Sequence, residues 1–126
     1  MSAARSRAAP TAPDLAARDM RKGARKLDRE AIEAALAALP GWSVAGAALR
    51  KDYRFADWRA TIAFVNAVAD LADRVDHHPD LVAGWGRCAV AWSTHDAGGI
   101  TENDLVCAAR TEALATRGGA VGGTGR

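Results

Sequence analysis

His77, His78 and His95 are the only histidines in this 126-residue chain. Two of them stand side by side in DRVDHHPDLVAGW, which runs from Asp73 to Trp85. Imidazole is the side chain best matched to moving protons near neutral pH. Asp73 lies one helical turn before His77, where a carboxylate can orient an imidazole and favour its charged form. Three readings compete. In the first, the histidines decorate a solvated helix end. In the second they bind a metal. That reading needs ligands converging on one point, and adjacent helical residues diverge by about 100°. The HxxxH and HxH spacings that suit zinc are missing, and neither Cys88 nor Cys107 lies in a ligand-like pattern. The third reading is metal-free acid/base catalysis beside Trp85, whose ring can stack on a flat ligand. Gly98-Gly99 alone is a weak signal for a phosphate cradle.

The elements that must position these side chains are legible in outline. Asp28 can N-cap a first helix in which Ile32, Ala35, Leu36 and Leu39 share one face. Pro40-Gly41 stops it. Two strands follow, the second with Leu49, Tyr53 and Phe55 on one face, and Gly46 marks the turn between them. Asp57 caps a long helix with Trp58, Ile62, Val65, Val68, Ala72 and Val75 as its apolar stripe. Pro79 ends this helix, because proline disfavours helical geometry at the residue before it. That places His77 and His78 at the helix C-terminus. Leu81–Trp85 and Arg87–Thr94 read as two more strands, the latter with Cys88, Val90 and Trp92 on one face. His95 then falls at the strand's end, on the face opposite Trp92. Thr101 and Asp104 form a capping box for a last helix. Its inner stripe of Leu105, Ala108 and Ala115 is interrupted by Thr111 and Glu112.

The order α-β-β-α-β-β-α with short connections predicts an α+β fold: a four-stranded antiparallel sheet with helices packed on one face. One uncovered sheet face and short edges predict a homodimer or homotetramer. Residues 28–115 form the domain. Residues 1–27 carry a net charge of +5 and the remainder −3. A basic arm on a mildly acidic domain argues against a nucleic-acid-binding module and predicts a flexible extension. The arm is also Arg- and Ala-rich like a transit peptide, but Asp14 and Asp19 interrupt it. The Gly-rich tail, residues 116–126, predicts no regular structure. No run reaches the roughly 20 apolar residues of a membrane span, and no secretory apolar segment occurs. The two cysteines read as buried thiols in a reducing compartment, hence a cytoplasmic protein.

Asp73, His77-His78-Pro79, Trp85, His95 and Asp104, at this spacing, resemble the signature of the pterin-4a-carbinolamine dehydratases. LPGW at Leu39, THDAGG at Thr94 and ITENDL at Ile100 agree with it. The resemblance covers roughly residues 28–115. It implies an α+β fold and dehydration of 4a-hydroxytetrahydrobiopterin to quinonoid dihydropterin, in tetrahydrobiopterin recycling, with no cofactor and no metal. By position, it makes His77 and His95 the acid/base pair and His78 a substrate-binding and orienting residue. Asp73 resembles the acidic partner of the helix-end histidine, Trp85 matches an aromatic lining position, and Asp104 a further signature position. Leu81 stands where many members have an aromatic residue, Asp73 is shorter than the glutamate often found there, and Trp92 is large for its strand position. The final helix, GGITENDLVCAAR, also resembles the GGLSxNDFIxAAK of dehydratase-like Rubisco assembly factors of the α-carboxysome. That implies the alternative of a non-enzymatic chaperone with Rubisco as partner. The coactivator role of animal members has no support in this sequence.

Overall fold

The computed structural model describes residues 10–124. The helices are α1 (Ala12–Ala16), α2 (Arg29–Leu36), α3 (Trp58–Val75) and α4 (Glu102–Arg117). The strands are β1 (Ser43–Ala45), β2 (Ala48–Arg54), β3 (Asp80–Gly84), β4 (Arg87–Trp92) and β5 (Gly122–Thr124). The main sheet is antiparallel in the order β1-β2-β4-β3, and β5 pairs with β2. The expected α+β architecture is therefore present.

Strand alternation builds the inner face. Leu49, Lys51 and Tyr53 of β2 lie opposite Trp92, Val90 and Cys88 of β4, and all six are buried. Successive strand side chains point to opposite faces, so Arg50 and Asp52 come out on the other side, where they pair at 3.0 Å. Helices α3 and α4 cover the inner face. Asp28 and Asp57 cap their helices as expected, accepting from the amides of Ala31 and Ala60 at 2.8 Å each. Each such cap contributes about 1 kcal/mol. Gly86 turns β3 into β4 at φ 75°, and a Cβ there would stand 3.2 Å from the Phe55 carbonyl oxygen. Its own carbonyl accepts from the Phe55 amide at 2.8 Å, which fixes the hairpin to the end of β2.

Four sequence expectations need correction. The inner face of α3 is Thr61, Phe64, Val68, Leu71 and Ala72, whereas Trp58 is half exposed. The apolar residues of α3 occupy two adjoining flanks, so periodicity alone could not choose the phase. Next, α3 ends at Val75 because Asp76 adopts the left-handed conformation (φ 53°, ψ 45°). Asp76 and His77 both donate their amides to the Ala72 carbonyl, which closes the helix. Pro79 lies three residues beyond this stop, so His77 and His78 belong to the connection after the helix.

Residues 10–27, expected as part of a flexible arm, dock on the domain: Leu15 is fully buried and α1 packs on α4. An Ala- and Arg-rich composition hid a capped turn, in which Thr11 and Asp14 exchange hydrogen bonds at 3.1 and 3.2 Å. The Gly-rich tail, finally, supplies β5, because β2 offers a free backbone edge beyond β1. Residues 1–9 of the arm and 125–126 of the tail lie outside the described residues.

Candidate active site

The turn at Asp76 carries His77 across to the first turn of α4. There His77 Nε2 donates to Asp104 Oδ1 at 2.6 Å, with the proton assigned to Nε2 because an ionised carboxylate can only accept. The His77 side chain is 16% exposed and the Asp104 side chain fully buried. Asp104 Oδ2 accepts from the Thr101 amide at 2.8 Å and from the Thr94 hydroxyl at 2.8 Å. Both carboxylate oxygens are thus engaged, as an isolated buried charge requires. The capping role expected for Asp104 is real, and the same carboxylate also holds the histidine.

The His77 ring stacks on Trp92, with centroids 5.6 Å apart and planes 23° apart. Trp92 is fully buried and its Nε1 donates to Thr111 Oγ1 at 3.0 Å. The large residue at this strand position is therefore the floor under His77. One hydrogen bond sets the direction of the imidazole and one stack sets its plane.

His95 opens a short 3-10 turn, His95–Ala97, immediately after Thr94. Thr94 and His77 grip opposite oxygens of one carboxylate, so Asp104 brings the exposed His95 and the partly buried His77 to one locality. β4 itself ends at Trp92; the face relationship expected between His95 and Trp92 does not apply, because the chain has already turned. His78 is exposed and its Nε2 lies 3.0 Å from Asp73 Oδ1. Asp73 is therefore the partner of His78, and Asp104 that of His77. Both members of the outer pair are exposed (58% and 80% of the side chain), so this bridge contributes little to stability.

Trp85 is not brought to the histidines. It sits at the β3–β4 turn, 69% exposed, at the opposite end of the hairpin from His77. At ~3.3 Å per residue, five strand residues separate them by on the order of 15 Å. A cavity of about 740 Å³ opens between α2 and the β1–β2 turn, but Ile32, Leu36, Trp42, Val44 and Ile100 are among its walls and no histidine lines it. Its size carries no acid/base chemistry, so the histidine cluster is the better candidate. Thr94, Thr101 and Trp92 are site residues that the sequence did not single out for these roles. Their signal lies in THDAGGIT, where two threonines flank the His95 loop.

Among the described residues, no three His, Cys, Asp or Glu side chains are grouped to hold a metal ion. Cys88 and Cys107 are free and buried. Burial, and then the charge of Asp104, push the Cys107 thiol up to about 12. Burial and Asp52 push Cys88 up to about 11. Neither supplies a thiolate nucleophile at neutral pH. Among the described residues no helix is long and apolar enough to cross a membrane.

The profile of the Pterin 4 alpha carbinolamine dehydratase family matches residues 25–114. A Chromobacterium violaceum protein named "Putative pterin-4-alpha-carbinolamine dehydratase" is 52% identical over 86 residues, covering 68% of this chain and 80% of that protein. A Stenotrophomonas maltophilia protein of the same name is 50% identical over 97 residues, covering 75% and 84%. The crystal structure of a transcriptional coactivator/pterin dehydratase from Brucella melitensis superposes with a TM-score of 0.70 at 30% identity, covering 72% of this chain and 99% of that one.

Proposed function

This chain belongs to the pterin-4a-carbinolamine dehydratase family, and from that premise we propose that it dehydrates 4a-hydroxytetrahydrobiopterin to quinonoid dihydropterin in tetrahydrobiopterin recycling. The reaction removes a proton from N5 and the hydroxyl from C4a. The C4a–O bond breaks, the N5–C4a double bond forms, and the hydroxyl leaves as water once protonated. One histidine of the pair His77 and His95 gives the proton to the departing hydroxyl, and the other accepts the proton of N5. His78, steered by Asp73, binds and orients the pterin.

One observation carries this reading: Asp104 holds His77 at 2.6 Å and, through Thr94, anchors the turn that begins with His95. Bonding Nε2 to the carboxylate leaves Nδ1 of His77 for the substrate. Imidazole–carboxylate pairing is the usual means of fixing a tautomer for proton transfer. In this reading the protein works in the cytoplasm and self-associates through surfaces such as the β3 edge and the exposed Val82 and Trp58. The residues behind the Rubisco-assembly resemblance are engaged inside the fold. Ala108 and Ala109 are buried, Asn103 bonds Arg21, and Arg110 bonds the α1 segment. These contacts favour a structural role for that stretch over a docking one.

The test is the dehydration rate of the 4a-carbinolamine. His77→Ala and His95→Ala are expected to lower it about 10²-fold or more. An unmutated protein that does not accelerate the reaction removes the proposal.

A further inference from the structure

The first turn of α4 bears the Asp104 carboxylate, and helix first turns are weakly held unless something outside the helix fixes them. Here the segment Thr11–Leu27, a strap laid along α4, adds to the hold that the Thr101 cap and Thr94 already give. Asn103, 9% exposed, spends its whole amide on one strap residue. Its Oδ1 accepts from the Arg21 amide at 2.8 Å and its Nδ2 donates to the Arg21 carbonyl at 2.7 Å. On the other side of the helix cap, the Leu27 amide donates to the Ile100 carbonyl at 2.8 Å. The strap thus grips residues 100 and 103, which flank Thr101 and immediately precede Asp104.

Further along, Leu15 seats the strap in the core. The Arg110 guanidinium fastens its other end, donating from Nε to the Ala16 carbonyl at 3.0 Å and from Nη2 to the Arg18 carbonyl at 2.7 Å. Arg18 also lies 3.6 Å from Glu102. Arg21 stands four residues before the segment that matches the family, residues 25–114.

We propose that this strap sets the position of the Asp104–His77 pair, and that Asn103 is the positioning residue through which it acts. The inference rests on the proposed role of His77 in the dehydration. The argument is one of tolerance. A 2.6 Å bond from a stacked ring to a buried carboxylate is kept only if the helix turn bearing the carboxylate is placed to within about half an ångström. Misplacing a catalytic group by 1 Å costs up to about 10²-fold in rate. Asn103 touches neither His77 nor the reacting face in any described contact. It acts through the backbone it shares with Asp104.

The experiment compares Asn103→Ala and Arg110→Ala in the full chain by steady-state kinetics, thermal unfolding and the nitrogen resonances of the His77 ring. Asn103→Ala is expected to lower kcat about 10-fold with KM within about 2-fold, and to move the His77 ring resonances. Arg110→Ala, which frees the strap seven residues further along α4, is expected to lower the unfolding temperature with kcat and those resonances unchanged. Destabilisation alone does not move the resonances of the folded state. Unchanged kcat and unmoved resonances in Asn103→Ala overturn the inference. So does an equal loss of kcat in both variants. If Asn103→Ala does not fold, Arg21→Pro removes the amide that Asn103 accepts from, and the same two readouts decide. If His77→Ala leaves the rate intact, the role given to His77 in the dehydration fails, while the ring resonances of the unmutated His77 still report whether the strap holds the pair.

Discussion

Two carboxylates on α4, eight residues and about 12 Å apart along the helix, each gather three strong donors. Asp104 takes the His77 imidazole, the Thr94 hydroxyl and the Thr101 amide. Glu112 takes all three on one oxygen: Trp42 Nε1 at 3.2 Å, Lys51 Nζ at 2.9 Å and the Tyr53 hydroxyl at 2.7 Å. Lys51 also donates to the Pro40 carbonyl at 2.8 Å. The two clusters look alike as hydrogen-bond diagrams, yet they do different work. An indole N–H does not titrate, and Tyr53 is held far above the ordinary phenol range, by burial first and by Glu112 second. The Glu112 cluster therefore ties β2 and the Pro40–Trp42 turn to α4, and neither its indole nor its phenol offers a proton near neutral pH. The Asp104 cluster includes an imidazole, partly open to solvent. Counting donors does not reveal a reactive site; their chemistry and access do.

This contrast can be broken in order of effect. Asp104→Ala should cut the dehydration rate of the folded protein about 10³-fold, through loss of His77 orientation; a loss below 10-fold would put the two carboxylates in one class. Glu112→Ala should destabilise the fold by roughly 2–4 kcal/mol in urea unfolding. That is somewhat less than the loss of a fully buried partner, because the glutamate is partly exposed. Its rate per folded molecule should stay within about 2-fold.

The finest test uses the fact that Tyr53 is the only tyrosine. Its pKa is raised in the fold, so the stability it contributes is present below the unfolded-chain value, about 10, and is lost as pH rises beyond it. Tyrosinate absorbance should therefore appear only as the protein unfolds in alkali. Absorbance rising near pH 10 while the fold persists would show the phenol to be solvated.

The sequence announced the frame through local signals. Asp28 and Asp57 sit where caps must, and the alternation of Cys88, Val90 and Trp92 marks the inner face of β4. What it hid depends on tertiary meeting. Asp73 is one turn from His77 in sequence, which made it the natural partner. The left-handed turn at Asp76 redirects the chain, so His77 finds a carboxylate 27 residues away and His78 takes the near one. Trp85 shares a short stretch with the histidines, but a five-residue strand carries it to the other end of the hairpin. Thr111 and Glu112 looked like gaps in an apolar stripe. The partner of Glu112 was visible in principle, since Lys51 falls on the inward phase between Leu49 and Tyr53 and needs an acid beside it.

The turn at Asp76 has a further consequence, for how such a protein can change over time. A non-glycine residue there pays for its left-handed backbone with about 1–2 kcal/mol, less for aspartate than for most side chains. In return, the turn hands His77 to Asp104 of α4 and Trp92 of β4 rather than to a face of α3. Apart from Asp73, which holds His78, the outer surface of α3 can then drift in sequence, gaining or losing contacts with other molecules, without swinging the His77 imidazole. Chemistry and sociability sit on largely separate inheritances, joined at Asp73 and Asp76.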